Sequence, residues 1–372
     1  MPSDVTSPQK SEPSIFVRLG KGAGLSVFVI LMAELFLRVY APVPMLPRYV
    51  TESELGIRVN MGDQVYTHTT PDYRVVIRTN SRGIRADEEI PYEKPAGIER
   101  IVVLGDSFMM GYGATLEEMA LSVMVQRLES AGHRVQLINL AVSGFGNAEE
   151  LLYLRAEGMK YDPDLIVLGW HDTDILDNMR SGLFALEDGR LVRRAESYLP
   201  GVRTRELLFK IPFYRFLAGN SHLYNRLRDD MGKFVKQLLA DFRSSRQAAT
   251  TAEPIPSVGE PAEPPDGLGY PEQLTIAILD EIDRVARAGG ARFAILEIPV
   301  RRGRANFTSA FPVTARSERF PRFDPIPSFE TRAGELLYWE RSHYHFTPLG
   351  NRLVGEGMAE LVLGLGLLDP TE

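Results

Sequence analysis

Residues 101–113 read IVVLGDSFMMGYG. The apolar residues Ile101 to Leu104 run straight into Gly105-Asp106-Ser107. A continuous apolar run of this kind suits a strand buried on both faces of a parallel sheet. Gly105 and Asp106 end it. From Thr115 the segment TLEEMALSVMVQRLES carries apolar residues at helical spacing, and Thr115 with Glu118 has the form of a capping box. The stretch therefore predicts strand, sharp turn and a helix from Thr115. A serine in such a turn exposes its hydroxyl near the positive end of a helix, a setting for a nucleophile whose attack builds an oxyanion. The same tripeptide also serves as an ordinary strand-to-helix turn, so the rest of the chain has to decide.

Strand and helix patterns alternate beyond it. Val135 to Val142 predicts a second strand ending at Ser143-Gly144, Ala148 to Gly158 a helix, and Leu165 to Trp170 a third strand. A helix from Glu272 to Ala288, the strand RFAILEIPV and a last helix from Pro348 or Gly350 to Leu363 follow. This alternation predicts a doubly wound parallel sheet with ligands at the carboxyl ends of its strands. Between the halves, Phe184 to Val192 reads as a hairpin around Asp188-Gly189. Leu207 to Leu239 reads as amphipathic helix broken at Pro212 and Gly219.

Taken together, GDSF at 105–108, AVSGFGN at 141–147, DPDLIVLGWHDTDILDN at 162–178 and HFTPLGNRLV at 345–354 resemble, in order and spacing, the SGNH (GDSL-like) hydrolase superfamily. The resemblance runs from about Asn80 to Leu363. It implies an α/β fold, a three-layer α/β/α doubly wound parallel sheet, and hydrolysis or transfer of an O-acyl group without a cofactor. It makes Ser107 the nucleophile and His345 the general base. The oxyanion hole it implies combines the Ser107 amide, Gly144 and an asparagine that aligns here with Thr173. His171 and Asp174 stand beside Thr173 as supporting residues. His171, Asp172 and Asp174 could also suggest a metal, but acidic residues at strand ends more often cap or face solvent, and no metal is expected. The family's aspartate two or three residues before the histidine is missing: those positions are His343 and Ser342. Two departures at catalytic positions fit either a divergent esterase or a domain whose activity has lapsed.

Composition narrows the partners. A formal net charge of −7 and no basic stripe argue against nucleic acid. With no cysteine in the chain, disulfides and thiolate chemistry are excluded. Gly22 to Leu37, GAGLSVFVILMAELFL, is apolar except for Ser26 and Glu34. A transmembrane helix over 22–40 is expected. A cleaved signal peptide lacks a good small-x-small site here, and a buried core helix is the third option. Lys10, Arg18 and Lys21 precede the span, which predicts a cytoplasmic N-terminus over 1–21 and an extracytoplasmic domain. Glu34 would pair with Arg38 one turn on or meet a neighbouring membrane helix. The expected organisation continues with an extension over 41–100, containing an edge strand near Tyr73 to Asn80, and a first core half over 101–178. A helical insertion over 179–243, a Pro-rich loop over 244–271 and a second core half over 272–372 complete it. An acylated envelope carbohydrate or lipid ester, membrane lipids and other membrane subunits are the expected partners.

Overall fold

A computed structural model describes residues 15–232, 268–303 and 305–368. Residues 1–14, most of the Pro-rich loop and the helix expected between 232 and Leu239 lie outside the described residues.

Helix α1 (Ile15–Tyr40) opens the described chain and contains a 23-residue stretch, Arg18–Tyr40, long and apolar enough to cross a membrane. The extension then forms two small antiparallel pairs, β1 (Val50–Glu52) with β2 (Arg58–Asn60), and β3 (Val65–Thr69) with β4 (Arg74–Arg78). β4 is the strand expected near Tyr73, and its alternating burial gives it one inward face, with Val75 and Ile77 buried.

The central sheet has five parallel strands in the order β13-β10-β7-β5-β6. They are β5 (Glu99–Leu104), β6 (Val135–Asn139), β7 (Leu165–Trp170), β10 (Arg292–Glu297) and β13 (Arg322–Phe323). Between β7 and β10 lie the hairpin β8 (Phe184–Glu187) and β9 (Arg190–Arg193). After β10 comes a small pair, β11 (Val300–Arg301) and β12 (Phe307–Thr308). All six residues of β5 and of β7 are buried. Alternation assigns them to two cores. Val102, Leu104, Ile166 and Leu168 pack beneath α3 (Asn147–Ala156) and α8 (Tyr270–Ala288). Ile101, Val103, Leu165 and Val167 pack beneath α2 (Ala120–Ser130) and α10 (Pro348–Gly364). This is the three-layer α/β/α arrangement. Truncating any one of these strand residues to alanine costs about 2–5 kcal/mol for the larger side chains.

The segment around Ser107 corrects one expectation. The helix begins at Ala120, not at Thr115. Gly111 (φ 76°) and Gly113 (φ 87°) put the chain in left-handed backbone, which holds residues 107–119 in turns. The Thr115–Glu118 contact does form, at 3.1 Å, but it closes a turn ahead of the helix. β6 ends earlier than Val142. The Asn139 side-chain oxygen accepts the Ala141 N–H and so turns the backbone on itself. In the insertion, α4 (Thr173–Ser181) precedes the hairpin, and α5 (Val202–Phe209), α6 (Tyr214–Asn220) and α7 (222–232) follow it. The first break falls at Pro212 as the sequence suggests; the second is at Ser221, two residues past Gly219. α9 (Ile326–Thr331) lies between β13 and α10.

Candidate active site

Ser107 and His345 come together at the carboxyl edge of the sheet. The Ser107 Oγ lies 2.8 Å from His345 Nε2 although the two are 238 residues apart. Ser107 sits in the turn after β5, which is closed by Asp106 Oδ1 accepting the Phe108 N–H at 2.8 Å. His345 immediately precedes α10, whose N-cap is Thr347. His343 (φ 62°) and Tyr344 (φ 54°) are non-glycine residues in left-handed backbone, so the loop that delivers the histidine is strained. His343 itself is exposed.

His345 is buried against Phe108 and Tyr112, with ring centroids 4.8 and 5.4 Å away. Among the described residues its Nδ1 has no hydrogen-bond partner. Burial pushes the imidazole down to about 3, and the charges of His343, Arg48 and His171 add to that. Proximity to the Ser342 backbone pulls the other way without forming a hydrogen bond. The ring is therefore neutral at pH 7, able to take a proton but poorly supported once it has one. Ser342 occupies a position where the family's aspartate would stand, and a carboxylate is nearby after all. Asp72 of the extension accepts the Ser342 hydroxyl at 2.9 Å and the Arg341 N–H at 2.7 Å. It does not reach the ring.

Gly144 lies in the loop after β6 at φ 80°, a conformation glycine adopts without cost. Among the described residues neither its amide nor that of Ser107 has a protein acceptor, which leaves both available to an oxyanion. Thr173 is exposed as the first residue of α4. Its hydroxyl is 2.9 Å from His171 Nδ1, and its N–H donates to that same nitrogen at 3.3 Å. With Nδ1 accepting, the His171 proton sits on Nε2. The His171 ring stacks on Phe108 at 5.3 Å, on the ring that also touches His345.

Asp174 is buried beneath these residues rather than solvated. It accepts the His171 N–H at 3.0 Å and the Asn147 amide at 3.1 Å, while Asn147 also donates to Glu150 at 3.0 Å. Burial pushes Asp106, Glu150 and Asp174 up, and their mutual repulsion pushes Glu150 and Asp174 further. Asp172 instead accepts the Ala310 N–H and an ion pair from Arg302. Among the described residues no group of acids and histidines is arranged to hold a metal ion.

Sequence reasoning missed the extension's part in the site. Arg85 is buried and donates to the carbonyls of Met110, Gly111 and Ala114, all in the turn that carries Ser107, at 2.6 to 2.7 Å. Arg58 donates to the Gly144 carbonyl. Asp72 holds the histidine loop. Each of the three loops that carry Ser107, Gly144 and His345 is thus tied to the extension. Single charged residues scattered through 58–85 give no periodic signal that could have announced this.

No family model matches the chain, and no curated protein matches it. Solved structures similar to it include the psychrotrophic esterase EstA from Pseudoalteromonas sp. (14% identity, covering 72% of this chain and 98% of that one, TM-score 0.36). The lipase/acylhydrolase from Enterococcus faecalis is another, at 13% identity, covering 74% and 99%, with TM-score 0.35. TesA is a third, at 12% identity, covering 73% and 100%, with TM-score 0.35. Motif order, the parallel sheet and the Ser107–His345 contact make this chain similar in its α/β architecture to the SGNH (GDSL-like) hydrolases.

Proposed function

We propose that the chain is a membrane-anchored serine esterase or O-acyltransferase whose domain lies outside the cytoplasm and acts on an acylated envelope carbohydrate or a lipid ester. The observation that carries this reading is the 2.8 Å Ser107–His345 contact beside two free amides. Ser107 Oγ attacks the acyl carbon while His345 Nε2 takes its proton. The Ser107 and Gly144 amides hold the oxyanion, and the His171 Nε2–H is the nearest candidate for a third donor in place of the family's asparagine. Collapse of the intermediate breaks the ester bond, and His345 returns the proton to the leaving alcohol. Water or an acceptor alcohol then releases the acyl group by the same steps in reverse.

Anchoring is supported by how α1 ends. Glu34 accepts the N–H groups of His222 and Leu223 and the Ser221 hydroxyl, and Arg38 donates to the Asn220 carbonyl. The apolar helix is thereby built into the insertion. In the same insertion Leu207, Phe213, Phe216 and Met231 are exposed, side chains suited to the lipid face of the membrane.

The partnerless His345 Nδ1 favours a second reading, a catalytically lapsed domain serving as an accessory subunit of a membrane complex. Labelling of the solubilised full chain with a fluorophosphonate separates the two. Labelling that disappears in Ser107→Ala supports the esterase. No labelling of folded protein supports the subunit.

A further inference from the structure

The mouth of the site holds more positive charge than the described chain neutralises. A Cβ placed on Gly144 would stand 3.1 Å from Arg58 Nη2 and 3.8 Å from Arg48 Nη1. The two guanidinium nitrogens are therefore within about 7 Å of each other, beside the amide assigned to the oxyanion. Arg58 is committed: it donates to the Gly144 carbonyl and lies 3.5 Å from Glu149. Burial pushes Glu149 up to about 7 despite that pairing, so its negative charge is only partial at neutral pH. Arg48 is exposed, and among the described residues its side chain makes no hydrogen bond or ion pair. Arg205 of α5 is half-buried and equally without an acidic partner there. Burial, and after it the charge of Arg48, pulls the Arg205 guanidinium down, so the two lie within electrostatic reach. Arg48 also acts on His345 itself.

Arg48 and Arg58 thus flank Gly144 with Arg205 within electrostatic reach, and the acids that act on Arg58 are Glu149, half-ionised, and Asp177. Gathering three like charges against this smaller negative charge costs free energy unless an anion completes the site. The developing oxyanion does not account for this alone. Two free amides already face it, and the guanidinium of Arg48 stands on a long exposed side chain that can reach a second group.

We infer that the cleft takes an ester that itself carries a negative charge close to the acyl group, and that Arg48 selects it. The inference rests on the esterase reading, and a binding measurement keeps the two apart. The full chain carrying Ser107→Ala, in detergent, is titrated calorimetrically with monomethyl succinate and with uncharged methyl butyrate. Monomethyl succinate should bind at least tenfold more tightly, and the advantage should shrink as salt rises. Arg48→Gln should abolish the difference, and Arg48→Lys should restore part of it. In the enzyme with Ser107 intact, Arg48→Gln should lower kcat/KM for p-nitrophenyl hemisuccinate about tenfold while changing that for p-nitrophenyl acetate less than threefold. Equal binding of both esters, or binding of neither, overturns the inference. An equal kinetic loss on both substrates also overturns it, because it makes Arg48 an oxyanion group. Selective binding without any turnover keeps the inference and sinks the esterase.

Discussion

In the proposed esterase, His345 is a base without the usual support. In a serine–histidine–carboxylate site the carboxylate orients the ring and stabilises the imidazolium; losing its effect costs about 10⁴ in kcat in a serine protease. Here burial holds the ring down to about 3 and Nδ1 is unpartnered. Because the base is already deprotonated above that value, kcat/KM for an aryl acetate should stay flat from neutrality to roughly pH 4 and fall only below it. A fall centred near pH 6 to 7 would show a ring far more basic than its burial allows. Supplying the carboxylate is not a matter of Ser342→Asp alone. Ser342 is fully buried with its hydroxyl on Asp72, so a second carboxylate there would face the first. The double variant Ser342→Asp with Asp72→Asn should raise activity on p-nitrophenyl acetate by orders of magnitude and move the pH limb upward. The single variant should lower the thermal midpoint instead.

The extension acts as an element of the site. Arg85 satisfies three buried carbonyls of the nucleophile turn with one guanidinium. Arg85→Ala removes charged hydrogen bonds worth about 1.5–3 kcal/mol each and strands their acceptors. A loss of at least about 3 kcal/mol of stability is expected, with faster hydrogen exchange at residues 108–114. Unchanged exchange there would mean that the turn holds itself. Glu34→Gln should free the start of α7, read as faster exchange at 221–225, while leaving Ser107 reactivity intact. Such ties mark the limit of what the sequence discloses. Ser107, Gly144 and His345 were legible because each sits in a compact motif at a strand or helix end, and β5 and β7 because continuous apolar runs need a two-sided burial. Arg58, Asp72 and Arg85 were not, because a buried arginine on backbone carbonyls looks like any surface arginine until the chain is folded. The start of α2 was misread because the pattern of apolar residues does not register two glycines in left-handed backbone.

Across the whole molecule, two sets of buried titrating groups pull stability in opposite directions. Burial pushes Glu149 up to about 7 and Glu150 up to about 8, from 4.5. Such a raised acid contributes its full stability below the unfolded value of 4.5 and loses it as pH rises through the folded value. Burial pushes His68 and His345 down to about 3, from 6.5. A lowered histidine contributes its full stability above 6.5 and loses it as pH falls towards 3. Between 4.5 and 6.5 the two sets oppose each other. Above 6.5 the acids dominate, Asp174 among them because burial pushes it well up, and below 4.5 the histidines dominate. The thermal midpoint should therefore pass through a maximum at mildly acidic pH and decline on both sides, at about 1.4 kcal/mol per pH unit for each titrating group. Glu150→Gln removes one group from the alkaline side while its amide oxygen can still accept from Asn147. The variant should unfold at a higher temperature than the parent at pH 8 and match it near pH 4.5, with the acid limb untouched. Identical alkaline limbs in parent and variant would mean that Glu150 is already ionised in the folded chain, and that Asn147 and the strand ends around it solvate a charge as well as water does.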